Sequence, residues 1–362
     1  MVNVIKCSKN EFRKIIENED LVCFGAGQEL IRICEEFPSI VNRILFVIDN
    51  KKFGEEIELN GLKKRIRSAE DELIGKSNVS VVITTVNFAD VFIRQMDENE
   101  MFGNKKVYFP YLYRDEAKAT AFIADDTKEK KIPRKIHYCW FGENPIPDKF
   151  LKNIESWKKF CPDYELVFWN ESNYDYTKNQ YMYEAYRSKK WGFVPDYARL
   201  DIIDRYGGIY LDTDVELVKP LDDLLTCDLF CGFESNDYVA FGLGFGAAPN
   251  NKIIQEMMEY YETIHFLNED GTMNLIASPV HQTSVLLKHG LKCDGSLQTI
   301  DGCTVFPIEY FAPINPYGLG EITDKTISIH KYAGTWLNED KIEEKRRLTE
   351  CLTFVNTRMI CL

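Results

Sequence analysis

Between Trp191 and Glu216 a helix start, a helical apolar stripe, a glycine stop and a strand follow one another without a break. Pro195-Asp196 opens the helix, Tyr197, Leu200, Ile203 and Tyr206 recur at helical spacing, and Gly207-Gly208 end it. A strand from Ile209 to Val218 is expected next, so the helix must turn straight back alongside it. Side chains alternate along a strand, which would put Asp212 and Asp214 on one face with Thr213 on the other. Asp196 and Arg199, one turn apart on the helix, are then aimed at the same carboxylates.

Two carboxylates converging on one point repel, and one would hold its proton unless a cation intervenes. A divalent ion removes the conflict and keeps open positions for phosphate oxygens. The pattern therefore reads as a metal–diphosphate clamp that makes a diphosphate a competent leaving group. The plain alternative is a pair of solvated aspartates at a strand end, and a bare Asp-x-Asp would favour it. Here Asp196 and Arg199 accompany the motif.

The segment resembles the DxD sugar-binding region of glycosyltransferase family 32, shared with the large clostridial toxin glucosyltransferases. The similarity begins at Ile132-Pro-Arg-Lys-Ile-His-Tyr-Cys-Trp-Phe-Gly142, continues through Ile154-Glu-Ser-Trp157 and Pro162-Asp-Tyr-Glu-Leu-Val-Phe-Trp169, and resumes at Ile329-His-Lys-Tyr-Ala-Gly-Thr-Trp336. The resemblance implies a GT-A nucleotide-diphospho-sugar transferase domain. It implies that Trp140 stacks on the base, that Asp196 and Arg199 hold donor-sugar hydroxyls, and that Asp212 meets the ribose and metal-bound water. Asp214 would be the main metal ligand, with His330 and Thr335 completing the metal and phosphate shell and Trp336 closing over the diphosphate. Tyr210 joins this expected donor-binding set. The terminal block departs from the family, with Ala-Gly-Thr-Trp where a serine usually precedes the tryptophan; Thr335 keeps the hydroxyl.

Nearer the N-terminus, Leu21-Val-Cys-Phe-Gly-Ala-Gly27 is an apolar run into Gly-x-Gly, followed by a helical pattern through Leu30, Ile33, Cys34 and Phe37. A strand from Ile44 to Ile48 ends at Asp49, and further elements are expected at 79–84, 88–96 and 106–109. Together these are a Rossmann-like unit. Gly25, Gly27 and Asp49 would form a nucleotide site, but Leu30 stands where the fingerprint wants a third glycine, so a ligand-free strand–helix turn is the competing account. The expected organisation is a Rossmann-like domain over 1–113, an exposed charged connection over 114–131, and a GT-A domain over 132–362. The charged amphipathic segment from Lys341 to Leu362 is expected to pack on the catalytic domain.

A formal charge of -13 excludes a broad nucleic-acid surface, while Lys189-Lys190 could serve one diphosphate or simply end a helix in solvent. Eleven scattered cysteines, with Cys227 and Cys231 the only close spacing, read as reduced thiols in a cytoplasmic protein. Neither a signal peptide nor a transmembrane segment is expected. Gly242-Leu-Gly-Phe-Gly246 reads either as the wall of an acceptor channel or as a small-residue turn. Tyr174, Tyr176, Tyr181, Tyr183 and Tyr186 form an aromatic group that more often packs a core than platforms sugars. His281, after Pro279, is a surface residue or a base near the acceptor.

The fold class expected is α/β in two domains. The function expected is a retaining, Mn2+- or Mg2+-dependent transferase, EC 2.4.1.- in type, moving sugar from a UDP-sugar to a glycan or lipid-linked acceptor of a surface-polysaccharide or capsule assembly system, with which it would associate peripherally. The alternatives are a haloacid-dehalogenase-type phosphatase with Asp212 as nucleophile and a non-catalytic nucleotide-binding scaffold.

Overall fold

The computed structural model describes residues 1–76, 78–113, 121–123, 127, 129–334 and 339–361. The chain is α/β, the class read from the sequence, and divides into two compact units. The first comprises 1–116, 317–319 and 339–362; the second comprises 117–316 and 320–338. Most of the segment expected to connect two domains lies outside the described residues.

In the first unit the described strands run in the spatial order Met359–Cys361, Val4–Lys6, Val107–Tyr108, Ser80–Ile83, Leu21–Phe24, Ile44–Ile48, Leu62–Arg67, Glu56–Leu59. All pair in parallel except the last two, an antiparallel hairpin turning at Asn60-Gly61 with φ of 47° and 81°. Parallel strands need crossovers, and the helices Gln28–Glu36 and Ala89–Glu98 provide them. The central strands are buried along their whole length, as their unbroken apolar runs require.

The C-terminal segment corrects the expected boundary. The Glu339–Thr357 helix buries Cys351, Leu352 and Val355 in the first unit's core, and Met359–Cys361 adds a parallel strand beside Val4–Lys6. Arg347 anchors it to Asp90 at 2.9 Å. It therefore belongs to the first unit and not to the second.

The second unit is built on a mixed sheet in the order Gln298–Ile300, Cys303–Phe306, Leu229–Phe233, Phe245–Ala247, Gly208–Tyr210, Lys135–Cys139, Glu165–Trp169. The Pro195–Tyr206 helix is buried on nearly every side from Asp196 to Ile203, which accounts for its having no clean amphipathic stripe. It stops at Gly207, whose φ of 60° and crowding against Pro249 and Pro133 (2.7 and 2.9 Å from an added Cβ) admit only glycine.

Candidate active site

The strand expected through Asp212 and Asp214 is broken. Gly208–Tyr210 pairs in the main sheet and Val215–Leu217 in a separate two-stranded ribbon with Ser328–His330. Between them the chain turns, with Val215 N–H donating to the Asp212 carbonyl at 3.0 Å. The two carboxylates are thus brought together by a turn rather than by strand alternation. The ribbon explains the third member, since its register sets His330 directly opposite Val215, one residue from Asp214. Suitable ligand atoms of Asp212, Asp214 and His330 all lie within 4.8 Å of one another, and among the described residues no other group of three has this property.

Each member has its own support. Asp214 is 3.2 Å from His330 Nε2 and accepts from Ala333 N–H at 2.9 Å. Burial works against its charge, but the His330 ring and these hydrogen bonds win and hold it below the usual carboxylate range. His330 is correspondingly raised, against burial, by Asp214, Glu234 and Asp212. Asp212 is raised by burial, which the Arg199 guanidinium opposes and Asp214 reinforces. Its Oδ2 lies 3.5 Å from Arg199 Nη1. The Asp212 side chain is 29% exposed, Asp214 15% and His330 14%, so an ion can reach all three.

These residues fit a divalent cation. Two carboxylate oxygens and one imidazole nitrogen are a donor set that suits Mn2+.

Behind the carboxylates lies a second layer. Asp196 and Arg199 are ion-paired and each only 4% exposed. Burial pushes the Asp196 carboxyl up to about 7, with Arg199 pulling it down and Asp212 raising it. Ser278, at the start of the Ser278–Lys288 helix, hydrogen-bonds to Asp196. Around this pair the Tyr261 hydroxyl and Gln282 Nε2 are buried without hydrogen-bond partners among the described residues, while the Tyr181 hydroxyl bonds Asp196 and His281 bonds the Ile276 backbone. Buried polar atoms rarely stay unsatisfied, so these two suit a ligand that carries hydroxyls.

His281 is accordingly not at the surface. It is 4% exposed, its Nδ1 is 3.1 Å from the Tyr260 hydroxyl, and its ring packs near Tyr261. Of the tyrosine group, expected mainly in the core, Tyr174 and Tyr181 are core, while Tyr176 stacks on Tyr186 at 3.8 Å. Tyr210 is fully buried beneath Arg199, with 5.3 Å from guanidinium to ring, and bonds Asp212. It supports the site and does not line it, which corrects its place among the donor-contacting residues.

Trp140 follows the Lys135–Cys139 strand, whose parallel pairing with Gly208–Tyr210 sets it at the same sheet edge as Asp212. Its indole N–H donates to the Asn144 carbonyl at 2.8 Å, and the side chain stays partly exposed. Thr335 and Trp336 lie outside the described residues. Lys189 is an exposed residue with φ of 56°.

The sequence reading singled out Gly242 without its contact to Asp212 and passed over Glu234. Gly242 accepts from Asp212 N–H at 3.2 Å, and a Cβ there would stand 2.3 Å from Asp212 Oδ2 and 3.0 Å from Arg199 Nη1. The Gly242–Gly246 segment is therefore buried structure against the carboxylates, not a loop. Glu234, just past the Leu229–Phe233 strand, is raised by burial and interacts with His330, Asp212 and Asp214. An isolated Phe-Glu in sequence gives no hint of this.

In the first unit Asp49 is already engaged. Its carboxylate accepts from the N–H groups of Ala26, Lys51 and Lys52 at 3.0, 2.9 and 3.1 Å, while Lys52 Nζ reaches the Ala26 carbonyl at 2.9 Å. Gly25 is needed because a Cβ would meet the Thr84 carbonyl at 2.9 Å; Gly27 has open space there. This is the geometry of a turn closed on its own acid.

Residues 147–230 match the model of the glycosyltransferase sugar-binding region containing the DXD motif. Curated relatives include inositol phosphoceramide mannosyltransferase 1 of Schizosaccharomyces pombe, 29% identical over 41% of this chain and 47% of its own length. Inositol phosphoceramide mannosyltransferase 3 of the same yeast is 35% identical over 26% of this chain and 27% of its own. Human alpha-1,4-N-acetylglucosaminyltransferase is 28% identical over 39% and 37%. The chain thus spans less than half the length of these relatives. Among solved structures, the PaToxG glycosyltransferase is 20% identical, covering 43% of this chain and 68% of that one with a TM-score of 0.37.

Proposed function

We propose that the chain is a metal-dependent, retaining glycosyltransferase that moves a sugar from a nucleotide sugar, a UDP-sugar by preference, to a glycan or lipid-linked glycan acceptor. The observation that carries this reading is the meeting of Asp212, Asp214 and His330 within 4.8 Å, backed by the buried Asp196–Arg199 pair. Relatives named for a phosphoceramide and for an N-acetylglucosaminyl transfer support a sugar donor and an acceptor that is lipid or glycan. The UDP preference and retention rest on the family resemblance.

Asp212, Asp214 and His330 would hold Mn2+ or Mg2+, which when bound supplies positive charge for a departing diphosphate. Asp196 is placed to accept from sugar hydroxyls, and Arg199 fixes both Asp196 and Asp212. The Tyr261 hydroxyl and Gln282 amide nitrogen, buried without partners among the described residues, add hydrogen-bonding groups around the ring. With the sugar so held, the anomeric C–O bond to diphosphate breaks, a bond to the acceptor oxygen forms on the same face, and the acceptor proton passes to a diphosphate oxygen. Positioning of this kind supplies much of the rate. Thr335 and Trp336 retain the roles the resemblance implies, on the diphosphate.

Incubation with a panel of UDP-, GDP- and CMP-sugars, with and without EDTA, tests the reading. Chelator-sensitive release of nucleotide with the sugar appearing first in its donor anomeric form is expected. Hydrolysis of p-nitrophenyl phosphate with every sugar nucleotide left intact would replace it with the phosphatase.

A further inference from the structure

From Thr272 to Leu287 the chain contains no Asp, Glu, Lys or Arg, in a protein whose residues are 28% charged. Part of this run faces solvent with large apolar side chains: Met273 is 42% exposed, Leu275 51%, Ile276 49%, Val280 40% and Leu287 51%. Val280 and Leu287 are seven apart on the Ser278–Lys288 helix and so share one face. Tyr238, 43% exposed, lies beside them, because Val239 N–H donates to Thr283 Oγ1 at 2.9 Å. The same run enters the site, where Ser278 bonds Asp196 and the Gln282 amide nitrogen is buried without a hydrogen-bond partner among the described residues. An apolar, uncharged run therefore joins the Asp196–Arg199 site through Ser278.

We propose that this run seats the alkyl part of an amphiphilic acceptor while its polar head reaches the Asp196–Arg199 site. The proposal rests on the transferase reading above and names the class of its acceptor. A free sugar or polar oligosaccharide has nothing to gain from covering Met273, Leu275 and Ile276. An alkyl chain attached to a polar head does, since apolar area leaves water on both partners. The absence of charge along the run removes the desolvation cost that a lysine or glutamate would impose on such a chain.

The test uses the full chain labelled with 13C-methyl methionine, the Met273 signal being assigned through Met273→Leu. Maltose, octyl maltoside and decyl maltoside are titrated below the critical micelle concentrations. The Met273 methyl is expected to shift with both alkyl maltosides and not with maltose, with affinity rising up to about fourfold for each added methylene. The double variant Leu275→Ser with Ile276→Ser should weaken decyl maltoside binding about tenfold. Equal response to maltose and to the alkyl probes, or unaltered alkyl affinity in the double variant, overturns the proposal. So does a Met273 shift that follows protein concentration instead of probe, which makes a second copy the occupant. Stabilisation by UDP with Mn2+, measured on the same samples, separates the two levels: if it persists while the alkyl arm fails, only the docking surface falls; if the wild-type chain lacks it, the transferase reading falls with it.

Discussion

Gly242→Ala is the most demanding single substitution this site offers. The backbone φ at Gly242 is outside the left-handed region, so alanine costs no strain there, yet its Cβ would stand 2.3 Å from Asp212 Oδ2 and 3.2 Å from Asp212 Cγ. Ordinary contact begins near 3.4 Å, so the carboxylate must retreat by roughly 1 Å. Arg199 Nη1, 3.0 Å away, blocks one direction of retreat. Asp212 then loses its place beside Asp214 and His330. A displacement of that size in a catalytic group costs on the order of 100-fold in turnover, about 2.7 kcal/mol of transition-state stabilisation. Because the clash is with a side-chain tip and not with backbone, unfolding free energy should fall by no more than about 1 kcal/mol. Sugar-nucleotide turnover and Mn2+ binding by electron paramagnetic resonance, beside urea unfolding, are the assays. Wild-type turnover and Mn2+ affinity in Gly242→Ala would refute the placement of Asp212.

Other consequences follow from the same geometry. Asp196 sits at about 7 in the folded chain against 3.8 as its ordinary value, so the folded state holds this proton more tightly than the unfolded state. Its contribution to stability is full below pH 4 and is lost as pH rises to about 7, by at most about 4 kcal/mol; urea unfolding at pH 5 and 7.5 should show that slope flattened in Asp196→Asn. His330 is raised above its ordinary 6.5 by Asp214, so a metal ion must displace its proton, and Mn2+ affinity should rise by up to about tenfold per pH unit from pH 6 upward. An affinity independent of pH between 6 and 8 would remove His330 from the ligand set. Gly207→Ala puts a Cβ on a backbone with φ of 60° and 2.7 Å from Pro249, and should cost about 1–3 kcal/mol in unfolding free energy; unchanged stability would contradict the tight helix–strand turn.

What was legible in the sequence was local. Pro195, the apolar spacing and Gly207-Gly208 act within a few residues, and the helix forms where expected with a strand directly after it, though that strand ends at Tyr210. What was not legible depends on partners distant in sequence. The break at Asp212–Asp214 occurs because Val215–Leu217 leaves the main sheet to pair with Ser328–His330, more than a hundred residues away. Gly242 meets Asp212 because the adjoining Phe245–Ala247 strand pairs with Gly208–Tyr210, and no spacing rule announces that contact. The C-terminal helix looked amphipathic in isolation, and only the pairing of Met359–Cys361 with Val4–Lys6 decides which core it joins. Asp49, which its place at a strand tip after Gly25-Ala-Gly27 offered as a ribose ligand, accepts from the Ala26 N–H.

The most direct test of the central claim is thermal unfolding with UDP, GDP, CMP and their common sugars, each with and without Mn2+, on the wild-type chain and on Asp214→Ala. A ligand at about 100 times its dissociation constant stabilises by about 2.7 kcal/mol. The expected result is stabilisation by one nucleotide class, dependent on Mn2+ and lost in Asp214→Ala. Stabilisation that needs no metal and survives Asp214→Ala, or none across the panel, would contradict it.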